Sequence, residues 1–325
     1  MSNHVTPLDR HPLVVRAIAE EAAGIRSFEL AAPDGAALPG YAPGAHLAVH
    51  LGNGITRQYS LYEAHGPADR YRIAVLNDPA SRGGSRYLHE AVRVGTELRV
   101  SGPFNHFPMS PGARRAVLIA GGIGITPILS MASQLHRDGT PFTLHYCARR
   151  ERDAAFVARL RDAAPFRDAV RLHFDDGDPA RGLDVVAALA EAPDGCHVYC
   201  CGPGGLMNAV EQASAHWPVG AVHFERFAAE PVAGASNAAF RVVLRRSGRE
   251  FDVPADKTIL QVLRAAGLAV PTVCEQGVCG ACLTDVAEGV PDHRDRILTD
   301  GEKAANDVIA VCCSRARSER LVLDL

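Results

Sequence analysis

The sequence predicts a multidomain protein that contains an antiparallel β-barrel, a parallel-sheet α/β domain and a small α+β domain, in that order. Three observations predict it: short alternating strands separated by Gly and Pro continue to about residue 107, strands and helices alternate from residue 114, and a cysteine-rich α+β pattern follows residue 238. The 325 residues, with 47% hydrophobic content, are enough for two or three domains at about 150 residues each.

The first domain is predicted to span residues 1–110. Apolar and polar residues alternate in five segments, which is the period of a strand with one buried face. These segments are residues 13–18, 26–30, 46–51, 71–76 and 97–100. One helix is expected over residues 85–92, and strands at this spacing indicate an antiparallel barrel or sandwich.

The second domain is predicted to span residues 111–228. Buried strands are expected at residues 116–120, 142–147, 170–174, 197–201 and 222–224. Helices are expected between them, at residues 127–137, 154–163, 183–191 and 206–215. This alternation predicts a parallel sheet with helices on both faces.

A linker and a small third domain complete the chain. Residues 229–238 are small and show no periodic pattern, so we interpret them as a linker that allows the last domain to move. Residues 239–325 are predicted to form an α+β domain. Its expected elements are a hairpin at 240–244 and 250–253, a helix at 258–266, and strands near residues 283, 308 and 321.

Composition excludes several classes of function. The net charge of −3 gives no basic field for nucleic acid or an anionic membrane. Residues 1–10 lack the apolar segment of a signal peptide, and no run of 18 apolar residues occurs. Nine cysteines lie in a large chain rather than in a small secreted one. We therefore expect a cytoplasmic protein with reduced thiols and no membrane or nucleic-acid partner.

Three cysteines with glycines between them form the strongest motif. Cys274, Cys279 and Cys282 follow a C-x4-C-x2-C spacing, and Cys312 follows after 29 intervening residues. Four thiolates in this arrangement are typical of a plant-type ferredoxin [2Fe-2S] cluster. A zinc site or a disulfide is the alternative, although structural zinc usually pairs two such knuckles and this sequence has one. The third domain is therefore predicted to be a 2Fe-2S ferredoxin domain.

Two short motifs in the first domain suit a flavin. Arg57, Tyr59 and Ser60 offer a cation, an aromatic ring and a hydroxyl at the end of a strand. Residues 83–85, Gly-Gly-Ser, offer free N–H groups at a helix start, which is an anion site. Together they predict a flavin-binding β-barrel domain, with the ring against Tyr59 and the phosphate near Gly84, Ser85 and Arg57. The alternative is an ordinary edge strand and an ordinary turn.

A glycine-rich turn connects the first strand and helix of the α/β domain. Gly121, Gly122 and Gly124 precede Thr126 and Pro127. Such a turn lets the backbone approach a pyrophosphate at a helix N-terminus. The motif departs from G-x-G-x-x-G because Pro127 stands at the third glycine position, so a standard Rossmann fingerprint is not met.

A second turn lies at the carboxyl edge of the same predicted sheet. Cys200, Cys201, Gly202 and Pro203 end a strand and open a helix, at the edge where ligands of α/β sheets bind. Neighbouring residues in a strand point to opposite faces, so at most one cysteine faces the site, and we choose Cys201. The alternative is that both are buried small hydrophobes.

The order of these motifs resembles the phthalate dioxygenase reductase family, which includes vanillate demethylase reductases. The resemblance covers nearly the whole chain and implies FMN, NADH and a [2Fe-2S] cluster, with electron delivery to a separate oxygenase. It implies flavin contacts at Arg57, Tyr59, Ser60, Ile73, Ala74, Val75, Gly83, Gly84 and Ser85. It implies nicotinamide contacts at Gly121, Gly122, Gly124, Thr126, Cys201, Gly202 and Pro203.

The resemblance also implies individual roles. Thr126 and Phe227 would lie near the flavin, with Cys201 against the nicotinamide, although Phe227 is alternatively a core aromatic. Alignment to the family pattern puts Cys312 on iron and the adjacent Cys313 on the opposite face of the strand.

The number of electrons that each cofactor transfers supports a flavin between the nicotinamide and the [2Fe-2S] cluster. Nicotinamide gives two electrons as hydride, a cluster carries one, and a flavin accepts a hydride and releases electrons singly. We expect an NADH-dependent flavin/iron-sulfur oxidoreductase, monomeric when free, whose partner is a Rieske non-haem iron oxygenase. A cytochrome P450 partner and a redox-sensing role are the alternatives. Arg149 and Arg150, which would suit a 2′-phosphate, leave NADPH as the alternative donor.

Overall fold

A computed structural model describes residues 10–64, 69–81, 83–191, 193–227 and 237–325. The chain divides into two compact units, Met1–Glu225 and Arg226–Leu325. The first unit contains an antiparallel sheet and a parallel sheet, and the second contains a mixed sheet.

Six antiparallel strands form the first sheet. They are β1 (His11–Ala22), β2 (Ile25–Ala31), β3 (Ala45–His50), β4 (Thr56–Ser60), β5 (Tyr71–Leu76) and β6 (Glu97–Asn105), in the order β4-β3-β6-β1-β2-β5. An antiparallel bridge between Leu61 and Ile73 joins the two edge strands. The sheet therefore closes into a barrel, around a core that includes Val15, Leu47 and Leu61. Helix α1 (Gly84–Glu90) follows β5.

Five parallel strands form the second sheet. They are β7 (Arg115–Gly121), β8 (Phe142–Ala148), β9 (Val170–Phe174), β10 (Cys196–Cys201) and β11 (Val222–Glu225), in the order β11-β10-β7-β8-β9. The helices are α2 (Ile125–Arg137), α3 (Val185–Ala188) and α4 (Gly204–Ala213). Short 3-10 turns occupy Gly122–Gly124, Glu151–Asp153, Arg167–Ala169 and Pro179–Arg181. Separate apolar clusters pack on the two faces of the sheet, as expected for a covered parallel sheet.

The helix predicted over residues 154–163 begins later than expected. The structure is helical only over residues 157–163, with a π-helical turn at Arg159–Ala163, because Phe156 just before it adopts a left-handed conformation with φ 64°. Its buried ring packs on Tyr62, with 4.7 Å between ring centroids. This contact joins the barrel to the α/β sheet, so tertiary packing overrides the local helical pattern.

The second unit has a five-stranded mixed sheet. Its strands are β12 (Phe240–Leu244), β13 (Glu250–Val253), β14 (Leu283–Glu288), β16 (Val308–Ala310) and β18 (Arg320–Leu323), in the order β13-β12-β18-β14-β16. Strands β15 (Pro291–Asp292) and β17 (Arg315–Ala316) form a separate pair. Helices α5 (Ile259–Ala265) and α6 (Asp300–Ala305) both begin with a capping box.

The predicted fold class is confirmed: a β-barrel, a parallel α/β sheet and an α+β unit follow one another. The domain limits at residues 110, 228 and 238 stay predictions. Most of the predicted linker, residues 229–236, lies outside the described residues. Within the described residues, the helices are too short or too polar to cross a membrane.

Candidate functional site

The two motifs predicted to hold a flavin meet at the end of the barrel. Gly83 has φ 100° and precedes α1, where a left-handed conformation favours glycine. A Cβ on Gly84 would lie 2.6 Å from Cγ of Arg57, so the Arg57 side chain packs directly over this glycine. The structure therefore brings the cation of β4 to the start of α1, which is a cradle suited to a phosphate.

The other residues predicted to contact the flavin differ in where their side chains point. Tyr59 is partly buried against the barrel core, and burial raises the pKa of its hydroxyl. Ile73 and Val75 point into the barrel core, whereas Ala74 belongs to the cluster on the α/β side. Any flavin contact at Ile73 and Val75 would therefore involve their backbone rather than their side chains. Ser85 accepts a hydrogen bond from the Asp78 N–H at 3.3 Å.

Two glycine turns pack against each other where β7 and β10 end. A Cβ on Gly121 would lie 2.6 Å from Cδ of Pro203, and a Cβ on Gly202 would lie 3.0 Å from Cα of Gly121. A Cβ on Gly124 would lie 2.2 Å from the carbonyl oxygen of Cys201. After β7 the chain enters α2, which packs on one face of the sheet, and after β10 it enters α4, which packs on the other. The strand order reverses between β7 and β10, which is the switch point where α/β sheets bind nucleotides.

The structure separates the two adjacent cysteines as alternation requires. Cys200 packs in the cluster on one face of the sheet and Cys201 in the cluster on the other. Burial and the nearby Glu225 carboxylate raise the pKa of the Cys201 thiol, so it is neutral. Thr126 is also buried, and its hydroxyl donates to the Ile123 carbonyl at 3.0 Å. Gly122 has φ 54°, and a Cβ added to it would have no heavy atom within 4 Å.

Sequence reasoning missed Glu225. This residue pairs in register with Cys201 across β10 and β11, and its Oε2 accepts a hydrogen bond from Ser60 Oγ at 3.4 Å. Burial raises the pKa of the Glu225 carboxyl to about 8. Ser60 of the barrel, Cys201 and Glu225 therefore converge where the two sheets meet. The sequence offered one indication of this site: Glu225 lies at the carboxyl end of the last strand of the parallel sheet, the edge where ligands of such sheets bind.

Phe227 belongs to the second unit and is 41% exposed. The alternative interpretation was that Phe227 is a core aromatic residue, and an exposure of this size is not typical of such a residue. Its predicted position against a flavin ring stays a prediction.

The four predicted iron ligands lie in two segments of the second unit. Cys274, Cys279 and Cys282 occupy the loop between α5 and β14, and Cys312 follows β16. The segment from Cys274 to Cys282 contains three left-handed residues, which curl its backbone: Glu275 with φ 55°, Gly277 with φ 72° and Gly280 with φ 73°. The N–H of Gln276 donates to Cys274 Sγ at 3.3 Å, as a backbone that binds a thiolate should.

The thiols of these cysteines interact with one another. Hydrogen bonds from Cys279 and Cys312 lower the pKa of Cys274 to about 2, and the same contacts raise the pKa of both donors. Cys282 also bonds Cys312, and its pKa is lowered. Each of the four thiols therefore interacts with at least one of the others, as neighbouring cluster ligands should.

No group of three or more His, Cys, Asp or Glu side chains among the described residues is arranged to hold a single metal ion. A [2Fe-2S] cluster needs only two thiolates at each iron, because bridging sulfides complete the coordination.

Cys313 has a different environment from Cys312. Its Sγ lies 3.8 Å from the Ala310 carbonyl oxygen, and a Cβ on Gly277 would lie 2.5 Å from this sulfur. Only Cys312 of the two interacts with the thiols of both Cys274 and Cys282. Cys313 fills the space that the glycine leaves open behind the loop.

Comparison with known proteins matches this arrangement. Residues 118–212 match the oxidoreductase NAD-binding domain, and residues 242–317 match the 2Fe-2S iron-sulfur cluster binding domain. Vanillate O-demethylase oxidoreductase of Pseudomonas sp. strain HR199 is 48% identical over 315 residues, which are 96% of this chain and 99% of the relative. The structure of phthalate dioxygenase reductase matches with a TM-score of 0.82 and 43% identity, over 98% of this chain and 100% of that chain. The chain belongs to the phthalate dioxygenase reductase family.

Another solved structure contains the same architecture within a larger protein. A type IV self-sufficient cytochrome P450 monooxygenase is similar over 97% of this chain and 41% of its own length, with a TM-score of 0.78 and 39% identity. As a member of the phthalate dioxygenase reductase family, the chain is an oxidoreductase with a nicotinamide site and a 2Fe-2S site. These three predictions are confirmed.

Proposed function

We propose that this chain is the reductase component of a Rieske-type aromatic-ring oxygenase or demethylase system. It takes electrons from NADH and passes them through FMN and a [2Fe-2S] cluster to a partner oxygenase. One observation carries the proposal, namely that three sets of residues occur in one chain. The first unit contains the two packed glycine turns and the cradle at Arg57 and Gly84, and the second unit contains four thiols that interact with one another. The printed names of the relatives, which include a vanillate O-demethylase oxidoreductase, support the oxygenase partner.

Each cofactor has a set of residues suited to it. FMN would be held by Arg57, Tyr59, Ser60, the backbone of residues 73–75 and the turn at residues 83–85. NADH would be held by Gly121, Gly122, Gly124, Thr126, Cys201, Gly202 and Pro203. The iron ligands would be Cys274, Cys279, Cys282 and Cys312. When bound, the flavin supplies the step from a two-electron donor to a one-electron acceptor.

The protein's own residues supply position and a neutral environment. The two glycine turns pack closely at the carboxyl edge of the sheet, where a side chain at residue 121, 124 or 202 would clash with the facing turn. The raised pKa values of Cys201 and Glu225 mean that both groups resist ionisation beside the place where a hydride would move. Thr126 and Phe227 would complete the contacts to the flavin.

NADH is the proposed donor in preference to NADPH. Arg149 and Arg150 are exposed after β8, but the turn that contains Asp175 and Asp176 lies beside them. The Asp176 N–H donates to the Arg149 carbonyl at 2.8 Å, and its carboxylate pairs with Arg181 at 3.2 Å. The negative charge of these carboxylates would repel the 2′-phosphate of NADPH. A kinetic preference above tenfold for NADPH would overturn this assignment.

The proposed division of the chain follows the sites. Residues 1–110 form the flavin-binding barrel domain, residues 111–228 the NAD-binding domain, residues 229–238 a linker and residues 239–325 the ferredoxin domain. We place the protein in the cytoplasm as a monomer when free, with no membrane or nucleic-acid partner.

A cytochrome P450 is the second candidate partner. The similarity to 41% of the length of a self-sufficient cytochrome P450 monooxygenase favours it. The two partners are separated by supplying purified acceptors, either the oxygenase component of a vanillate O-demethylase or a P450, and measuring NADH consumption coupled to product formation.

An anaerobic titration with NADH tests the proposal itself. Flavin and cluster absorb in different bands, so both should bleach in turn, with one FMN and two iron atoms released per chain on denaturation. Flavin that bleaches while the cluster stays oxidised would contradict electron transfer between them. A chain that contains no flavin would overturn the proposal.

A further inference from the structure

The segment from Cys274 to Cys282, here called the cluster loop, is flanked by two exposed aliphatic side chains. Neither side chain belongs to a site described above. Leu283 is 37% exposed and Ile297 is 36% exposed. A Cβ on Gly280 would lie 3.6 Å from Cδ1 of Leu283 and 3.6 Å from Cγ1 of Ile297. Gly280 lies between Cys279 and Cys282, so both side chains adjoin the segment that carries two proposed iron ligands.

The backbone holds both side chains in place. The Leu283 N–H donates to the Gly280 carbonyl at 3.1 Å, and the Arg296 N–H donates to the Gly277 carbonyl at 2.8 Å. The buried carboxylate of Asp295 accepts from the Leu298 N–H at 3.0 Å. Ile297 is therefore fixed between two anchored neighbours, and its exposure does not come from a loose loop.

Exposed apolar side chains that stand alone are ordinary, but these two lie against the same glycine. Val290 of the same unit is 43% exposed but does not lie within 4 Å of a Cβ on Gly280. We infer that Leu283, Ile297 and the loop backbone at Gly280, here called the Leu283–Ile297 patch, form the docking surface for the electron-accepting oxygenase. This inference rests on the proposed function.

The size of the patch supports a transient redox partner. A stable protein–protein interface buries about 800 Å² on each side, whereas electron-transfer encounters are smaller. Two side chains that are each about one-third exposed provide too little apolar area for a stable dimer. Close approach is nevertheless favoured at this point, since it shortens the distance from the cluster loop to an acceptor. The expected occupant is an oxygenase surface with a complementary apolar contact beside its own redox centre.

The test uses a neutral double variant, Leu283→Gln with Ile297→Gln, because a new charge would itself alter the cluster potential. Val290→Gln is the matched control. The measurements are the visible cluster spectrum, the rate of cluster reduction by NADH in a single turnover, and the apparent KM for the oxygenase component of a Pseudomonas vanillate O-demethylase. The double variant should raise that KM about fivefold or more, with the other two measurements and the control unchanged.

Several results would overturn the inference. An unchanged KM in the double variant would do so, as would an equal rise in Val290→Gln. Slower cluster reduction by NADH would assign the patch to contact with the flavin-bearing part of the chain. A concentration-dependent dimer lost only in the double variant would assign it to a second copy. Failure of the wild-type chain to reduce any oxygenase would instead refute the proposed function.

Discussion

Replacement of Gly124 by alanine tests the close approach of the two glycine turns. Gly124 has φ −62° and ψ −7°, which any residue adopts, so the backbone conformation is no obstacle. The obstacle is contact, because the new Cβ would lie 2.2 Å from the Cys201 carbonyl oxygen and 2.5 Å from its carbon. Real Cβ contacts stay above 3.0 Å, so the start of α2 and the end of β10 must separate by about 0.8 Å.

The expected cost follows from overpacking against rigid backbone. Such strain costs about 1–3 kcal/mol, which lowers the unfolding midpoint of a unit of this size by roughly 3–10 °C. A shift approaching 1 Å at a cofactor contact should also lower kcat/KM for NADH by about tenfold to a hundredfold. The cluster spectrum should not change, because the four cysteines lie in the other unit.

The assay is a thermal melt together with NADH-dependent reduction of an artificial acceptor. Gly205→Ala is the matched control, since Gly205 lies in α4 with no heavy atom within 4 Å of an added Cβ. Alanine there should leave kinetics unchanged and stability equal or slightly higher. A Gly124→Ala protein with wild-type midpoint and wild-type kcat/KM would refute the steric reasoning.

Two further predictions concern the cluster and the buried carboxyl. Cys312→Ser should remove the visible cluster absorption and the bound iron, while Cys313→Ser should keep both. The reason is that, of these two residues, only Cys312 interacts with the thiols of Cys274 and Cys282. The reverse result would show that Cys313, and not Cys312, is the iron ligand. Burial raises the Glu225 pKa from 4.5 to about 8, so this group's contribution to stability is present below about pH 4.5 and is lost as pH rises through 8. Glu225→Gln should therefore reduce the fall in unfolding midpoint between pH 5 and 8, and an equal fall in both proteins would contradict the raised pKa.

Local spacing was enough to predict the order of folds and most of the candidate sites. The C-x4-C-x2-C loop, the glycines at 121 and 124 and the alternation of Cys200 with Cys201 are short-range patterns. Each expresses a constraint that acts within a few residues: a curled backbone, a close approach or the two-residue period of a strand. Such constraints can be read without knowledge of the rest of the chain.

Other features depended on contacts between distant segments. Residues 154–163 have a helical pattern, yet the helix begins only at residue 157, because the Phe156 ring packs on Tyr62 of the barrel and Phe156 is left-handed. Glu225 is buried and accepts a hydrogen bond from Ser60, which lies 165 residues earlier in the chain. The adjoining exposure of Leu283 and Ile297 likewise requires two segments to meet at Gly280.

The sequence by itself determined which cofactor chemistry the chain can support, because cysteine spacing and glycine turns are local requirements of that chemistry. Only the tertiary structure decided which groups surround those sites, which carboxyl is buried beside them and which side chains stay exposed at the cluster loop. The physical reason is that burial, and with it pKa and accessibility, is set by neighbours from anywhere in the chain.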